Sequence, residues 1–227
     1  MNICMTKKYY FPSLQEISRA KMTLAKILST TPLQENPLLS ERYGANISLK
    51  REDLQVVRSY KIRGAFNKIS TLNDEELKLG VVCASAGNHA QGVAFSCNRL
   101  KVHAAIYMPT TTPRQKIEQV KMFGGSYVEV ALTGDTFDAA NAAAVAYAKE
   151  NGKTFIPPFD DPQVIAGQAT VGLEIMQQST EHIDYLICSY WWRRSCCRHW
   201  SLPTSAESRY EDYRRRTHWC SLYAFGI

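Results

Sequence analysis

The fold is decided by the stretch Val81-Val82-Cys83-Ala84-Ser85-Ala86-Gly87-Asn88-His89. Residues 81–84 form a short apolar run typical of a buried strand, residues 85–89 predict a turn, and residues 91–100 predict a helix. The same order recurs along the chain. Further strands are predicted at 102–108, 127–132 and 154–156, and further helices at 114–123 and 136–150. Strands alternating with helices of this length indicate an α/β fold with a parallel sheet.

The flanking residues extend this pattern in both directions. Ser13 and Glu16 have the spacing of a capping box, which predicts a helix from Ser13 to Leu28. An extended segment at 30–33, a strand at 46–49 and a short helix at 65–69 lead into the alternating region. Beyond it, the pattern predicts a helix over 166–178 and a strand over 182–187.

The turn at residues 85–89 is the first candidate site. Ligands of parallel sheets bind at the carboxyl ends of strands, in the strand-to-helix loops. Backbone N–H groups at a helix start also suit an anion. Simpler interpretations stay open, because Ser85 has the residue type of a helix cap and Asn88 that of a left-handed turn.

Lys61, in the stretch Ser59-Tyr60-Lys61-Ile62-Arg63-Gly64-Ala65, is the second candidate. Most lysines are solvated surface charges. A lysine that burial helps to lose its proton can instead act as a nucleophile toward an aldehyde. The sequence around Lys61 leaves both interpretations open.

Composition excludes several classes of protein. The 227 residues are 45% hydrophobic and 21% charged, which suits one or two globular units. The net charge is +6, of which residues 188–227 contribute +4 through seven Arg against three acidic residues. The +2 left for residues 1–187 gives no reason to expect nucleic acid as the main partner. No membrane is expected as a partner, because no apolar run is long enough to span a bilayer. The absence of an apolar leader and of any 18-residue apolar run favours a cytoplasmic location.

Cysteine usage points to core packing. The seven Cys are an odd number without the ordered spacing of a disulfide framework. Cys83 and Cys97 are interpreted as core residues. The sequence contains no cluster with metal-ligand spacing, so no metal is expected.

Residues 188–227 break the alternating pattern and contain all four Trp and four of the Cys. A basic aromatic tail that stacks on single-stranded nucleic acid is one interpretation, and an unusual genuine segment is another. The favoured interpretation is a reading-frame slip after about residue 187. Trp has the single codon TGG, so reading one base later turns each Trp into Gly. Back-translation of residues 188–200 and 210–220 then gives apolar, glycine-rich strings that continue the earlier pattern.

Four motifs together resemble the fold-type II pyridoxal-phosphate enzymes, whose fold is tryptophan synthase β-like. They are residues 50–53, 59–65, 85–92 and the pair Gly167-Gln168. Within residues 12–187 the sequence is most similar to the threonine dehydratases, with serine dehydratase and serine racemase nearby. The resemblance implies parallel sheets and deamination of threonine to 2-oxobutanoate and ammonia, a step toward isoleucine.

The resemblance also implies roles for individual residues. Lys61 would form the Schiff base with pyridoxal phosphate and take the α-proton of the substrate. Asn88 would bond the 3′-hydroxyl of the cofactor. The residues implied for the substrate carboxylate are Ser85, Ala86, Gly87 and His89. Residues 159–161 resemble a loop near the substrate, although a turn is the simpler interpretation. Solvated ion pairs are an equally good interpretation of Arg63 and residues 50–53, so no catalytic role is assigned to them.

In this family, the middle of the chain forms a small domain and both flanks form a larger one. The resemblance therefore predicts a small domain at 56–155, a large domain made of 1–55 and 156–187 that is incomplete, and an aberrant tail at 188–227. The glycine-rich phosphate loop of the family falls at residues 190–194, where this chain has Tyr-Trp-Trp-Arg-Arg. We therefore expect this chain to bind the cofactor poorly and to be inactive or weakly active. Family members are homo-oligomers that act on small amino acids.

Two other functions remain as alternatives. The first is a serine dehydratase or serine racemase, because the motifs define the cofactor and not the pocket for the substrate side chain. The second is a non-catalytic protein whose basic tail binds nucleic acid. Binding that weakens with salt and disappears when residues 188–227 are deleted would favour the second.

Overall fold

Alternating helices and strands make up the computed structural model, which describes residues 10–187. The strands are β1 Leu33–Glu35, β2 Ser48–Lys50, β3 Val81–Ala84, β4 Ala104–Met108, β5 Val128–Leu132 and β6 Thr154–Phe155. The helices are α1 Leu14–Leu24, α2 Pro37–Tyr43, α3 Lys61–Ser70, α4 Asp74–Leu79, α5 Asn88–Leu100, α6 Arg114–Gly124, α7 Phe137–Glu150 and α8 Pro162–Gln178. Single turns of 3-10 helix occur at Glu52–Leu54 and Gly125–Tyr127.

The main sheet has four parallel strands in the order β5–β4–β3–β6. Val81 at the start of β3 pairs with Ala104 on β4 and with Thr154 on β6. The predicted α/β fold with a parallel sheet is therefore confirmed. A separate antiparallel pair joins β1 to β2, with Leu33 opposite Lys50.

Helices cover both faces of the sheet. All four residues of β3 are buried, and successive strand side chains point to opposite faces. Val81 and Cys83 belong to the larger core, which is shared with α3 and α5, whereas Val82 and Ala84 pack with Ala144 and Ala148 of α7. Helix α3 also packs on α8, and α1 packs on α8. The first turn of α3 therefore lies between α5 and α8.

Side-chain caps explain where several helices begin. Ser13 and Glu16 form the predicted capping box at α1. Asn73 and Glu76 form a second one at α4. The Asp161 carboxylate accepts from the N–H groups of Gln163 and Val164 at the start of α8. Each cap satisfies backbone donors that have no partner within the helix.

Some sequence predictions differ from the structure. Helix α1 ends at Leu24 instead of Leu28, and the strand expected at 46–49 lies at 48–50. Residues 182–187, predicted as a strand, form no strand, and Tyr185 and Ile187 are exposed. Within residues 10–187 this segment has no strand beside it with which to form a ladder. The predicted domain boundaries stay a prediction, and residues 188–227 lie outside the described part of the chain.

Candidate functional site

The candidate residues lie at one edge of the main sheet. Strands β3 and β6 are parallel neighbours, so the segments that follow them, 85–87 and 156–158, leave the sheet at the same edge. The N–H of Ser85 bonds Tyr107 O at 3.1 Å, and the N–H of Ile156 bonds Val82 O at 2.7 Å. These backbone bonds hold both segments against the strand ends.

Lys61 is the first residue of α3. Its Nζ donates a hydrogen bond to the carbonyl oxygen of Pro158 at 2.7 Å, and the side chain is half-buried. The same Nζ lies 5.3 Å from the centre of the Tyr60 ring. Lys61 is therefore directed toward the segment that follows β6, so the interpretation as a freely solvated surface charge does not hold.

The loop between β3 and α5 presents backbone donors at the same edge. Ser85 Oγ accepts from the Gly87 N–H at 3.2 Å, and Gly87, not Ser85, is the N-cap of α5. The N–H groups in the first turn of a helix have no intrahelical acceptor. A Cβ added at Gly87 would meet nothing within 4 Å, so there is open space beside the loop.

Asn88 begins α5 and is exposed. The alternative that Asn88 is a left-handed turn residue is wrong, because its backbone belongs to the helix and its φ is not positive. Ala86 lies half-buried in the loop before it. The structure thus places the Asn88 amide at the start of α5, where it is accessible to a ligand.

His89 has its side chain in the core. It is 4% exposed, and its Nε2 lies 2.9 Å from the carbonyl oxygen of Ile156. Its Nδ1 has no hydrogen-bond partner among residues 10–187. Burial lowers the pKa of His89 to about 4, and the charge of Lys61 acts in the same direction. Of the polar groups of His89, only the backbone N–H is therefore placed to meet an anion at this loop.

A close contact between helices brings Lys61 beside this loop. A Cβ added at Gly92 of α5 would lie 3.1 Å from Ile62 Cα and 3.2 Å from the Lys61 carbonyl carbon. The backbones of α3 and α5 therefore touch one turn after Asn88. This contact places Lys61 next to the first turn of α5.

A buried cluster of four charges lies behind Lys61: Lys50, Glu52, Arg63 and Glu174. Arg63 is 2% exposed, so its interpretation as a solvated ion pair is wrong. Burial alone would lower the pKa of Arg63, but hydrogen bonds to the two carboxylates raise it above its usual range. The sequence carries no local signal for this cluster, because Glu174 lies on α8, far along the chain from the other three residues.

Glu174 and Lys50 of this cluster also have shifted pKa values. Burial alone would raise the pKa of Glu174, but Arg63 and Lys50 hold it below its usual range. Burial lowers the pKa of Lys50, which its bond to Glu174 opposes. The neighbouring pair of Arg51 and Asp53 is more exposed, with side chains 29% and 20% accessible.

Residues 159–161 connect the site to α8. Phe159 and Asp160 belong to a bend in which Asp160 has φ +53°, as the turn interpretation predicts. The carboxylate of Asp161 caps α8 and also pairs with Lys68 at 2.9 Å. This segment therefore ties α8 to α3.

Other candidate features lie away from this edge. Two clefts, of 220 and 260 Å³, are lined by other residues and not by Lys61 or residues 85–89. Cys83 and Cys97 are free buried thiols, as predicted for core residues. Within the described range, no three His, Cys, Asp or Glu side chains are grouped to hold a metal ion. No helix among residues 10–187 has the length and apolarity needed to cross a membrane.

Comparison with known proteins identifies the class to which this fold and site belong. The sequence model of the family described as pyridoxal-phosphate dependent enzymes matches residues 24–190. The chain belongs to this family. Its described part has the α/β fold of fold-type II members.

The similar proteins include threonine dehydratases and a serine racemase. The chain is 58% identical over 176 residues to the biosynthetic L-threonine dehydratase IlvA of Halalkalibacterium halodurans, covering 78% of this chain and 42% of that protein. It matches the processed form of threonine deaminase isoform 2 from Solanum lycopersicum at 44% identity and TM-score 0.67, over 76% of this chain and 48% of that one. Maize serine racemase matches at 31% identity and TM-score 0.71, over 76% and 51%. The chain spans less than half the length of the dehydratase it matches.

The donor groups of this edge suit pyridoxal phosphate in part. Lys61 supplies a primary amine, Asn88 an exposed amide, and the loop before α5 backbone N–H groups next to open space. These groups fit the aldehyde and hydroxyl of the cofactor and an anion beside it. Residues 190–194, where the resemblance implies phosphate binding, lie outside the described part of the chain.

Proposed function

We propose that this protein is a pyridoxal-phosphate-dependent threonine dehydratase, which converts L-threonine to 2-oxobutanoate and ammonia. The observation that carries the proposal is the position of Lys61, whose amine bonds Pro158 O beside the first turn of α5. A lysine at that position can hold an aldehyde and then return as a base. The 58% identity to a dehydratase supports threonine as the substrate.

The residues of the site have separate roles in this proposal. Lys61 holds the cofactor aldehyde, and its released amine takes the α-proton of the substrate. Asn88 bonds the ring hydroxyl of the cofactor. The loop of Ser85, Ala86, Gly87 and His89 binds the substrate carboxylate, as the start of α5 favours an anion. Its donors are the Ser85 hydroxyl and the N–H groups of Ala86 and His89, because the Ser85 N–H bonds Tyr107 O and the Gly87 N–H bonds Ser85 Oγ. Bound pyridoxal phosphate supplies an electron sink for the pair left on the α-carbon.

The reaction balances without an oxidant or reductant. The α-proton and the β-hydroxyl leave as water. A second water is then taken up as the nitrogen departs as ammonia, which leaves the 2-oxo acid. The low pKa of His89 keeps its imidazole neutral near pH 7, so this ring adds no positive charge beside the Lys61 amine.

Borohydride trapping tests the proposal directly. Purified full chain is incubated with pyridoxal phosphate, reduced, digested and analysed by mass spectrometry. The expected result is a pyridoxyl group on Lys61 in preference to the exposed Lys116, and its loss in Lys61→Ala. We expect low occupancy, because residues 190–194 lack the glycines of the family. Equal modification of Lys61 and Lys116 would contradict the proposal.

Identifying the products of turnover distinguishes threonine from serine as the substrate. The serine-directed alternative is supported by the similarity to maize serine racemase at TM-score 0.71. Threonine should give 2-oxobutanoate, whereas serine would give pyruvate or D-serine. More product from serine than from threonine would favour the alternative. A cytoplasmic location, a small amino-acid substrate and assembly into homo-oligomers are parts of the same proposal.

A further inference from the structure

The guanidinium of Arg63 has every donor occupied. It donates to Glu52 from Nε at 2.9 Å and from Nη2 at 2.8 Å. It donates to Glu174 from Nη1 at 2.7 Å and from Nη2 at 2.9 Å, and to Thr170 Oγ1 from Nη1 at 3.0 Å. A guanidinium has five N–H donors in one plane, and these bonds use all five. The plane of Arg63 is therefore fixed from two chain segments, the turn at Glu52–Leu54 and helix α8.

Lys50 completes the cluster in the same manner. Its Nζ donates to Glu174 at 2.6 Å, to the Thr31 carbonyl at 2.6 Å and to Gln178 at 2.9 Å. An ammonium has three donors, so this group is also fully bonded. Two cations and two anions balance the cluster, which lowers the cost of burying it.

The position of Arg63 on α3 relates this cluster to Lys61. The two residues are separated by two positions in the first turn of the helix. Each helical residue advances about 100° around the axis, so these side chains point about 200° apart. Fixing Arg63 on one side of α3 therefore fixes the direction of Lys61 on the other side.

Glycine contacts fix the position of α3 between its neighbours. A Cβ at Gly167 of α8 would lie 2.5 Å from the Arg63 carbonyl oxygen, and one at Gly64 would lie 2.8 Å from the Val164 carbonyl oxygen. The first turn of α3 thus touches the backbone of α8 on one side and of α5 on the other. These contacts set the distances between the helices, while the Arg63 cluster sets the rotation of α3.

We propose that Arg63 is a positioning residue for Lys61, acting through five hydrogen bonds that fix the rotation of the first turn of α3. This inference rests on the proposed function in one respect. The fixed rotation of α3 serves to direct the Lys61 amine at the cofactor aldehyde. Arg63→Lys is the informative change, because it keeps the positive charge and removes the planar arrangement of donors.

Amine reactivity measures the position of Lys61 without any cofactor. The full chain is treated with limiting acetic anhydride, and the acetylation rate of Lys61 is compared with that of exposed Lys116 by peptide mass spectrometry. Arg63→Lys should raise the ratio of the Lys61 acetylation rate to the Lys116 acetylation rate at least fivefold. Arg51→Lys is the matched control, because Arg51 also binds a carboxylate with two donors but lies nearer the surface. The acetylation ratio of this control should stay within twofold of that of the parent chain.

Cofactor trapping supplies the second measurement. Pyridoxyl labelling of Lys61 should fall at least tenfold in Arg63→Lys and stay within twofold in Arg51→Lys, with circular dichroism confirming that both fold. If the parent chain shows no preference for Lys61 in trapping, the proposed function fails, while the acetylation ratio still decides whether Arg63 positions Lys61.

A milder variant covers the case in which Arg63→Lys does not fold. Thr170→Val removes one of the five acceptors without changing the charge, and it should raise the acetylation ratio at least twofold. A folded Arg63→Lys, or a folded Thr170→Val, whose ratio equals that of the parent chain would overturn the inference.

Discussion

His89 donates a hydrogen bond from Nε2 to the carbonyl oxygen of Ile156 over 2.9 Å. A carbonyl can only accept, so this contact places the proton on Nε2 and leaves Nδ1 with its lone pair. The contact joins the first turn of α5 to the segment after β6. Lys61 bonds Pro158 in that same segment.

Stability should decrease between pH 6.5 and pH 4 because of His89. Its folded-state pKa is about 4, below the ordinary 6.5, so the unfolded chain binds the proton first as the pH falls. The contribution of neutral His89 is complete above pH 6.5 and is lost as the pH falls to about 4. The expected loss at pH 4 is about 3 kcal/mol. Urea unfolding of the parent chain and His89→Asn across this range measures it.

The exposed His182 provides the control for this pH effect. His182→Asn should keep the pH dependence of the parent chain, because the His182 side chain is 76% exposed. Parallel stability curves for the parent chain and His89→Asn would show that another group is responsible.

Glu174→Gln should reduce the free energy of unfolding by about 3 kcal/mol, since it leaves Arg63 and Lys50 buried with one carboxylate instead of two. Asp53→Asn breaks the more exposed pair with Arg51 and should cost clearly less. Denaturant unfolding at pH 7 compares the two. Equal losses would mean that burial does not distinguish these ion pairs.

Gly167→Ala should destabilise the protein more than Gly92→Ala. Both glycines lie inside helices, so each alanine gains up to about 1 kcal/mol in helix propensity. The new Cβ meets the Arg63 carbonyl oxygen at 2.5 Å in the first case and Ile62 backbone atoms at 3.1 Å in the second. We expect a net loss of about 1–3 kcal/mol for Gly167→Ala and less for Gly92→Ala, measured by urea unfolding. The reverse order would contradict this packing.

The gene tests the frame slip after about residue 187. The codons of Trp191 and Trp192 yield glycine one base later whatever follows them. The informative positions are Arg193 and Arg194, whose codons must end in GG to extend the run of glycines. DNA sequencing should find such codons and a second frame without stops through codon 220. Arg codons of another type, or an early stop, would leave the tail as a genuine segment.

The main sheet could be predicted from the sequence because buried parallel strands are short, continuous apolar runs. Strand β3 lies where it was predicted, and β4, β5 and β6 differ by at most two residues. The site edge followed from this order, since parallel strands present their following loops together.

Helix starts were harder to predict. Helix α3 begins at Lys61 instead of residue 65, and α5 begins at Asn88 instead of residue 91. The N-cap positions of these helices are Tyr60 and Gly87, which lack the side-chain oxygen of a capping residue. The signals for α2 and α4 were present, however, as Asn36 before Pro37 and as Asn73 before Glu76.

The Arg63 cluster had no local signal in the sequence. Arg63 and Glu174 are 111 positions apart, and neither residue type is usually buried. Only the packing of α3 against α8 brings them together. An ion pair of this kind requires the tertiary structure before it can be recognised.

The distance along the chain between these partners sets the order in which the site is completed during synthesis. The strand-loop-helix unit of β3 and α5 can form from residues that are close in sequence, whereas Glu174 is translated 111 residues after Arg63. Closing so long a loop is a late event in folding. A ribosome-bound chain that ends before α8 therefore contains Lys61 but leaves Arg63 without three of its five acceptors. Under the proposed role of Arg63, the lysine reaches its final orientation only once the last helix of the described fold has left the ribosome.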